Sequence, residues 1–292
     1  MAAYWGFRIA SLLARLVPLR VAYGCGFAAG VITYYLWAGG RRRCVGNMLR
    51  VTGGDEATAR RLARSSFGNY GLYLVDFLRF DSRPRDELRD RIRYEDWDYL
   101  DGALTGNGLV FVTVHFGVWD LGAVALSEHG YRVSVIADTF DDPRLNELIF
   151  GSRRKLGMQV LPADRIGPRL VRALRRNEII AALIDVPQPG RGVEVEFFGG
   201  TVAVPDAPAR VALRTKASVV AATVPRLGTW SDRARPDLER VSYEPTGDTD
   251  HDVRALTQAI FTALEAMVRR HPEQWYIFRS LWVDETPAGR VA

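Results

Sequence analysis

The chain has 292 residues, 48% of them hydrophobic and 25% charged, and contains seven tryptophans. These proportions exclude an extensively disordered chain and allow one large core. The net charge of +5 is nearly all arginine and does not by itself select nucleic acid, anionic membrane or an acidic carrier.

In chain order, residues 4–19 carry apolar side chains at helical spacing, with Arg8, Arg15 and Arg20 giving the helix a basic side. Residues 21–40, VAYGCGFAAGVITYYLWAGG, are a run of twenty without a charge. Three forms suit it: a bilayer span, an interfacial or re-entrant helix, or a buried helix pressed on protein. The interfacial or re-entrant form is preferred, and the Gly26-x-x-x-Gly30 step also suits a helix pressed on protein. Arg41, Arg42 and Arg43 follow, as a positive anchor on anionic lipid or as an ordinary solvated helix start. A cleaved signal peptide does not fit these flanks. Asp55 and Glu56 open a helix predicted to run to about residue 80. The polar region 81–93 then separates a helical, membrane-associating layer (1–95) from an α/β core (96–292), the two expected to form one continuous domain.

From residue 108 the period changes. Five short β-branched runs, GLVFVTV, YRVSVIA, MQVLP, IIAALID and SVVAATV, read as strands. Predicted helices at 121–128, 143–156, 167–177 and 206–217 separate them. This alternation predicts a mostly parallel sheet with helices on both faces. VEVEFFGGTVAV reads as a hairpin turning at Gly199-Gly200, and a long helix over 251–270 stops before Pro272.

In open α/β sheets reactive groups gather beyond the carboxyl ends of strands, and His115 ends the first of these runs. Gly117 frees the backbone to turn, which could bring Asp120 back onto the imidazole and leave helix N–H groups facing a developing negative charge. The H-x-x-x-x-D spacing alone is common by chance. No G-x-S-x-G occurs, and neither Cys25 nor Cys44 sits at a strand-to-helix turn. A base without a protein nucleophile points to direct transfer onto the substrate's own hydroxyl. Both cysteines are expected as free thiols, and the spacing of the four histidines predicts no metal site. The dispersed arginines and the absence of an aromatic-basic motif disfavour nucleic acid.

VTVHFGVWDLGA, followed by GVEVEFFGG and RRHPEQWYIF, resembles the bacterial lipid A biosynthesis acyltransferase family, in particular its phosphatidylinositol mannoside acyltransferase branch. The likeness spans nearly the whole chain, including RRRCVGNMLR. It implies an acyl chain moved from acyl-CoA, or alternatively acyl carrier protein, to a hydroxyl of a membrane glycolipid at the cytoplasmic face of the cell membrane, with no cofactor. It implies His115 as base, Asp120 as its partner, and Glu194 as a further acid characteristic of the mannoside branch. Glu194 could equally be an exposed strand carboxylate alternating with Glu196. Arg153 or Arg154 is expected to grip phosphate or headgroup, although both also suit a helix C-terminus. Asp185 matches another acid-bearing strand end, or merely caps a strand. The HPEQW block is expected to serve packing. Rival readings are a lipid A or lysophospholipid acyltransferase, a non-catalytic lipid-binding membrane protein, and thioester hydrolysis.

Overall fold

The computed structural model describes residues 2–162, 167–188 and 192–283. The N-terminal layer holds four helices: α1 (Ala2–Leu16), α2 (Leu19–Leu36), α3 (Ala38–Val51) and α4 (Glu56–Arg79). The single helix expected over 4–19 ends instead at Leu16, because Pro18 has no N–H to continue it and adopts an extended φ/ψ of −55°/145°. Asp55 caps α4, accepting the Thr58 N–H at 3.1 Å.

The charge-free run falls in α2 and the start of α3, and one side of α2 packs on α4 while Val21, Ile32, Tyr35 and Leu36 stay exposed. A Cβ on Gly30 would lie 2.0 Å from the Phe67 carbonyl oxygen, and one on Gly71 would lie 2.0 Å from that of Gly26, so the two backbones meet where only glycine fits. Among the described residues no single helix is long and apolar enough to cross a membrane; α2 and α3 pass together by composition but bend by 97° between them.

The core alternates as the pattern of runs predicts. Strands β1 (Leu109–Thr113), β2 (Val133–Ala137), β3 (Gln159–Pro162), β4 (Ile179–Leu183), β7 (Ser218–Thr223) and β8 (Asp237–Val241) form one sheet in the order β3-β2-β4-β1-β7-β8. All neighbours run parallel except β8, which pairs antiparallel with β7. Between these strands lie α7 (Trp119–Glu128), α8 (Pro143–Lys155), α9 (Gly167–Arg175) and α10 (Ala207–Thr215), and α11 (Thr249–Arg270) follows the sheet. The edge strand β8 escapes a hydrophobic-run reading because three of its five residues, Asp237, Glu239 and Arg240, are charged, which suits an exposed edge.

Side chains of successive strand residues point to opposite faces and build two cores. Val110, Val112, Ile180, Ala182, Val219 and Ala221 meet α9, α10 and α11 on one face. Leu109, Phe111, Ile179, Val220 and Ala222 meet α7, α8 and the second half of α4 on the other, together with the short helices α5 (Arg85–Arg89) and α6 (Trp97–Ala103).

The hairpin, β5 (Val193–Phe197) and β6 (Gly200–Val204), turns one residue earlier than expected, at Phe198-Gly199 with φ of 47° and 69°. Both central residues at positive φ suit a two-residue hairpin. Phe198 is held there by its N–H to Glu265 Oε2 at 2.5 Å and by the Arg269 guanidinium 4.7 Å above its ring.

The helical layer and the chain's last described segment are sewn together. Ser66 Oγ donates to the Trp275 carbonyl at 2.6 Å, and Asn47 Nδ2 to those of Ile277 and Arg279 at 3.2 and 3.0 Å.

Candidate active site

The strand register positions the site. Thr113 of β1 is paired with Leu183 of β4, so two residues beyond each strand end stand His115 and Asp185. The Ile184 N–H to the Thr113 carbonyl, at 2.9 Å, keeps the two chains together past the strands. The Asp185 carboxylate then faces the imidazole: Oδ1 lies 2.7 Å from His115 Nδ1, and Oδ2 accepts the His115 backbone N–H at 3.0 Å. Trp275 Nε1 donates to the same Oδ2 at 3.0 Å. Burial alone would raise the pKa of Asp185, which is fully enclosed, but the imidazole and these donors outweigh it and hold the carboxyl below its ordinary value. A carboxylate that only accepts fixes the proton on Nδ1. Nε2 has no hydrogen-bond partner among the described residues.

The expected return of Asp120 onto His115 is replaced by a different pairing. Asp120 begins α7 and is buried; its Oδ1 accepts Arg153 Nε at 2.8 Å, and its Oδ2 accepts Arg153 NH2 at 3.3 Å and the Tyr73 hydroxyl at 2.7 Å. The reason is geometric: α7 starts at Trp119, so the side chain after it points along the helix start into the wall below α4 and α8. Burial opposes the charge on Arg153, but the Asp120 carboxylate outweighs it and raises the guanidinium pKa above its ordinary value. Burial pushes the Tyr73 phenol well up, and Asp120 pushes it further.

Of the two arginines at the end of α8, Arg153 reaches the cleft wall, with its planar fork already engaged by Asp120. Arg154 points outward to Glu147. Gly117 provides the turn, with φ of 59° and a Cβ position 2.0 Å from the Val224 carbonyl oxygen, but it offers no free donor. Its N–H is bonded to the Gln274 carbonyl and that of Val118 to the Val224 carbonyl, both at 2.9 Å. The Gly117 N–H itself is therefore not a free oxyanion donor. Glu194 is exposed on β5, alternating with Glu196, in a shallow groove with His251 and Arg254; it does not line the cleft that holds His115.

That cleft has a volume of about 800 Å³ and is walled chiefly by apolar groups from α1, α4, α8 and the strand ends, among them Phe7, Leu74, Phe77 and Leu145. Gln188, Asp138 and Asp206 give it a polar lip, and its described lining contains no serine, threonine, cysteine or lysine. Behind Trp119 and Arg153, which line both spaces, lies a narrow apolar pouch of about 60 Å³. The Trp119 ring stacks on Tyr73 at 3.9 Å and meets the His115 ring edge-on at 5.4 Å. Trp119 Nε1 is a buried donor with no partner among the described residues.

The sequence alone left three participants unmarked. Tyr73 carries no motif, Trp119 sits in VTVHFGVWDLGA without a role assigned to it, and Trp275, in the block expected to serve packing, orients the carboxylate behind the imidazole. Among the described residues no cluster of three His, Cys, Asp or Glu side chains could hold a metal ion. An imidazole backed by a buried carboxylate, opening on a largely apolar cleft whose described lining holds no serine, threonine, cysteine or lysine, can take a proton from a bound hydroxyl.

Residues 1–284 match the family described as bacterial lipid A biosynthesis acyltransferase. The chain is also similar to the phosphatidylinositol mannoside acyltransferase of Mycolicibacterium smegmatis, 28% identical over 98% of this chain and 93% of that protein. It is similar to proteins of the same name from two Mycobacterium tuberculosis strains, CDC 1551 and H37Rv, each 27% identical over 99% of this chain and 91% of theirs. The chain belongs to the bacterial lipid A biosynthesis acyltransferase family and is an acyltransferase.

Proposed function

We propose that this acyltransferase moves a fatty acyl group from acyl-CoA to a hydroxyl of a phosphatidylinositol-mannoside-like glycolipid, at the cytoplasmic face of the cell membrane. The observation that carries the chemistry is the His115 Nδ1 to Asp185 Oδ1 contact of 2.7 Å, with Nε2 left unpartnered among the described residues in a cleft whose described lining holds no serine, threonine, cysteine or lysine. His115 Nε2 takes the acceptor's hydroxyl proton while that oxygen attacks the thioester carbonyl. The C–S bond breaks, the departing sulfur takes the proton back from the imidazolium, and the ester leaves with His115 neutral again. Asp185 stabilises the imidazolium throughout. The donors assigned to the carbonyl oxygen as it becomes negative are Trp119 Nε1, which is unpartnered beside the imidazole, and the first N–H groups of α7; the Gly117 and Val118 N–H groups are engaged elsewhere.

The apolar walls suit an acyl chain, and a volume of about 800 Å³ lies in the range of ligand-binding clefts. Gln188, Asp138 and Asp206 at the lip suit a polyhydroxylated headgroup, whose hydroxyls donate to carboxylates. The mannoside acceptor rests on the names of the similar mycobacterial proteins.

Mass spectrometry of purified lipids after incubation with one acyl-CoA tests the reading. A phosphatidylinositol mannoside should gain one acyl mass, with one free thiol released per ester formed. Acylation of a lipid A precursor or a lysophospholipid instead would move the assignment to those acceptors. Thiol release unaffected by any acceptor would indicate hydrolysis.

A further inference from the structure

The first 54 residues contain seven arginines, Arg8, Arg15, Arg20, Arg41, Arg42, Arg43 and Arg50, and no acidic residue, so they carry +7 while the whole chain carries +5. The remainder is therefore slightly acidic, at −2, and the molecule's positive charge is gathered on the helical layer.

Helix α1 in that layer is almost unpacked. From Ala3 to Leu16 only Ser11 is buried, although the segment carries Trp5, Phe7, Ile9, Leu12, Leu13 and Leu16. Five of these are more than half exposed, from Trp5 and Ile9 at 56% to Leu16 at 71%. A contiguous apolar face of this kind on a basic helix is the pattern of an element that lies in a lipid interface.

Two hollows flank the helix. Ala3, Gly6, Phe7 and Ala10 form one wall of the catalytic cleft. Along α8, Trp5, Arg8, Leu12 and Arg15 overhang a second groove of about 450 Å³.

The attachments are unequal along its length. The hydrogen bonds gather at the C-terminal end: Ser11 Oγ to the Leu78 carbonyl at 2.8 Å, Arg15 to the same carbonyl and to Asp81, and Arg79 to the carbonyls of Ala14 and Val17. Towards the N-terminus the holds are an edge contact of Phe7 with Phe77 at 6.1 Å and the Arg144 guanidinium 5.2 Å over the Tyr4 ring. The chain breaks at Pro18 just beyond the firm end. Such a helix is tied at a pivot and loose at its tip.

We propose that α1 is a wall of the catalytic cleft operated by an anionic lipid surface. Its exposed apolar face docks on the bilayer, Arg8 pairs with lipid phosphate while Arg15 stays on Asp81 at the pivot, and its N-terminal half swings away from α4 and α8 about the Val17–Pro18 break. The cleft then opens toward the lipid phase. Charge selects the partner: residues 1–54, with seven arginines and no carboxylate of their own, complement anionic headgroups, and exposed Trp5 and Trp37 suit the headgroup level. The proposal rests on the acyl-transfer reading only for the purpose of the opening, since the motion itself is readable without turnover.

The test uses the full chain with exposed Cys25 replaced by serine and spin labels at Ile9→Cys and Lys155→Cys. Vesicles containing phosphatidylglycerol should lengthen the label separation by about one helix diameter, ~10 Å, whereas pure phosphatidylcholine vesicles should leave it unchanged. In a second variant, a reducible cross-linker joins Tyr4→Cys to Arg144→Cys. The tethered protein should still sediment with anionic vesicles but lose about tenfold or more of its transfer to a vesicle-borne acceptor, and regain it on reduction. Vesicle binding at unchanged label separation would overturn the proposal, as would absence of binding or full transfer by the tethered protein. If the distance changes but no acceptor is acylated, the catalytic reading fails and the moving wall stands.

Discussion

His115 is legible in the sequence because a β-branched run ends on it and a glycine follows; its partner is not, because pairing across parallel strands depends on register. Asp185 lies 70 residues away, yet Thr113 opposite Leu183 sets both side chains two steps beyond their strands. The nearer acid, Asp120, turns to Arg153 and Tyr73 because the helix starts one residue before it. The two carboxylates therefore separate by substitution. Asp185→Asn, measured by steady-state kinetics with saturating lipid, should lower kcat by about 10²-fold or more with little change in KM, since it removes the charge behind the imidazole while its amide oxygen can still accept the His115 backbone N–H and Trp275 Nε1. Asp120→Asn leaves the buried Arg153 guanidinium uncompensated and should lower stability by about 3–5 kcal/mol, read by denaturant unfolding. The opposite assignment of effects would restore the nearby acid as the imidazole's partner. Trp119→Phe keeps the ring against Tyr73 but removes the indole donor, and should slow transfer by about 10²-fold without a matching loss of binding.

At the scale of elements, hydrophobic runs and caps mark the parallel strands and the helices between them, since a strand buried on both faces must be apolar throughout. The edge strand β8 is hidden for the converse reason: its pairing is made by backbone, and its side chains are charged. The packing of α2 on α4 was readable only as a glycine spacing, because the partner glycine and carbonyls lie on another helix. Gly30→Ala would drive a methyl group into the Phe67 carbonyl, and should cost about 1–3 kcal/mol in unfolding free energy.

The same helices are fixed to the core by a buried cluster. Asp76 of α4 accepts Arg91 NH2 at 2.7 Å, Arg226 NH2 at 2.6 Å and the Tyr23 hydroxyl at 2.8 Å. Burial would raise the Asp76 pKa, but Arg226 and Arg91 outweigh it and hold the carboxyl below its ordinary value. A group depressed on folding adds stability above its unfolded pKa, near 3.9 for aspartate, and loses it as pH falls through the lower folded value. Melting temperatures of wild type and Asp76→Asn should therefore differ most near neutrality and converge as the pH drops below about 4. A constant difference across that range would show that the cluster's charge contributes nothing.

For the molecule as a whole, the sequence separates a helical layer from an α/β core by the change of period, but not how far the two share an interior. One cluster runs from Tyr34, Met48 and Phe67 through the strand residues to Trp275 and Trp282, and the hydrogen bonds of Ser66 and Asn47 span more than 200 residues of chain. Such interlocking expects a single cooperative unfolding transition, coincident by far-ultraviolet circular dichroism and tryptophan fluorescence. Two separated transitions would show that the layer melts on its own. The cleft around His115 is assembled by this shared interior, with α1 and α4 from the layer facing strand ends and α8 from the core. Its central claim is tested most directly by the rate of acyl-ester formation from acyl-CoA and a phosphatidylinositol mannoside, comparing wild type with a folded His115→Ala variant by mass spectrometry. Loss of the positioned base should reduce the rate by about 10²–10⁴-fold; an unchanged rate in His115→Ala would contradict the role given to the imidazole.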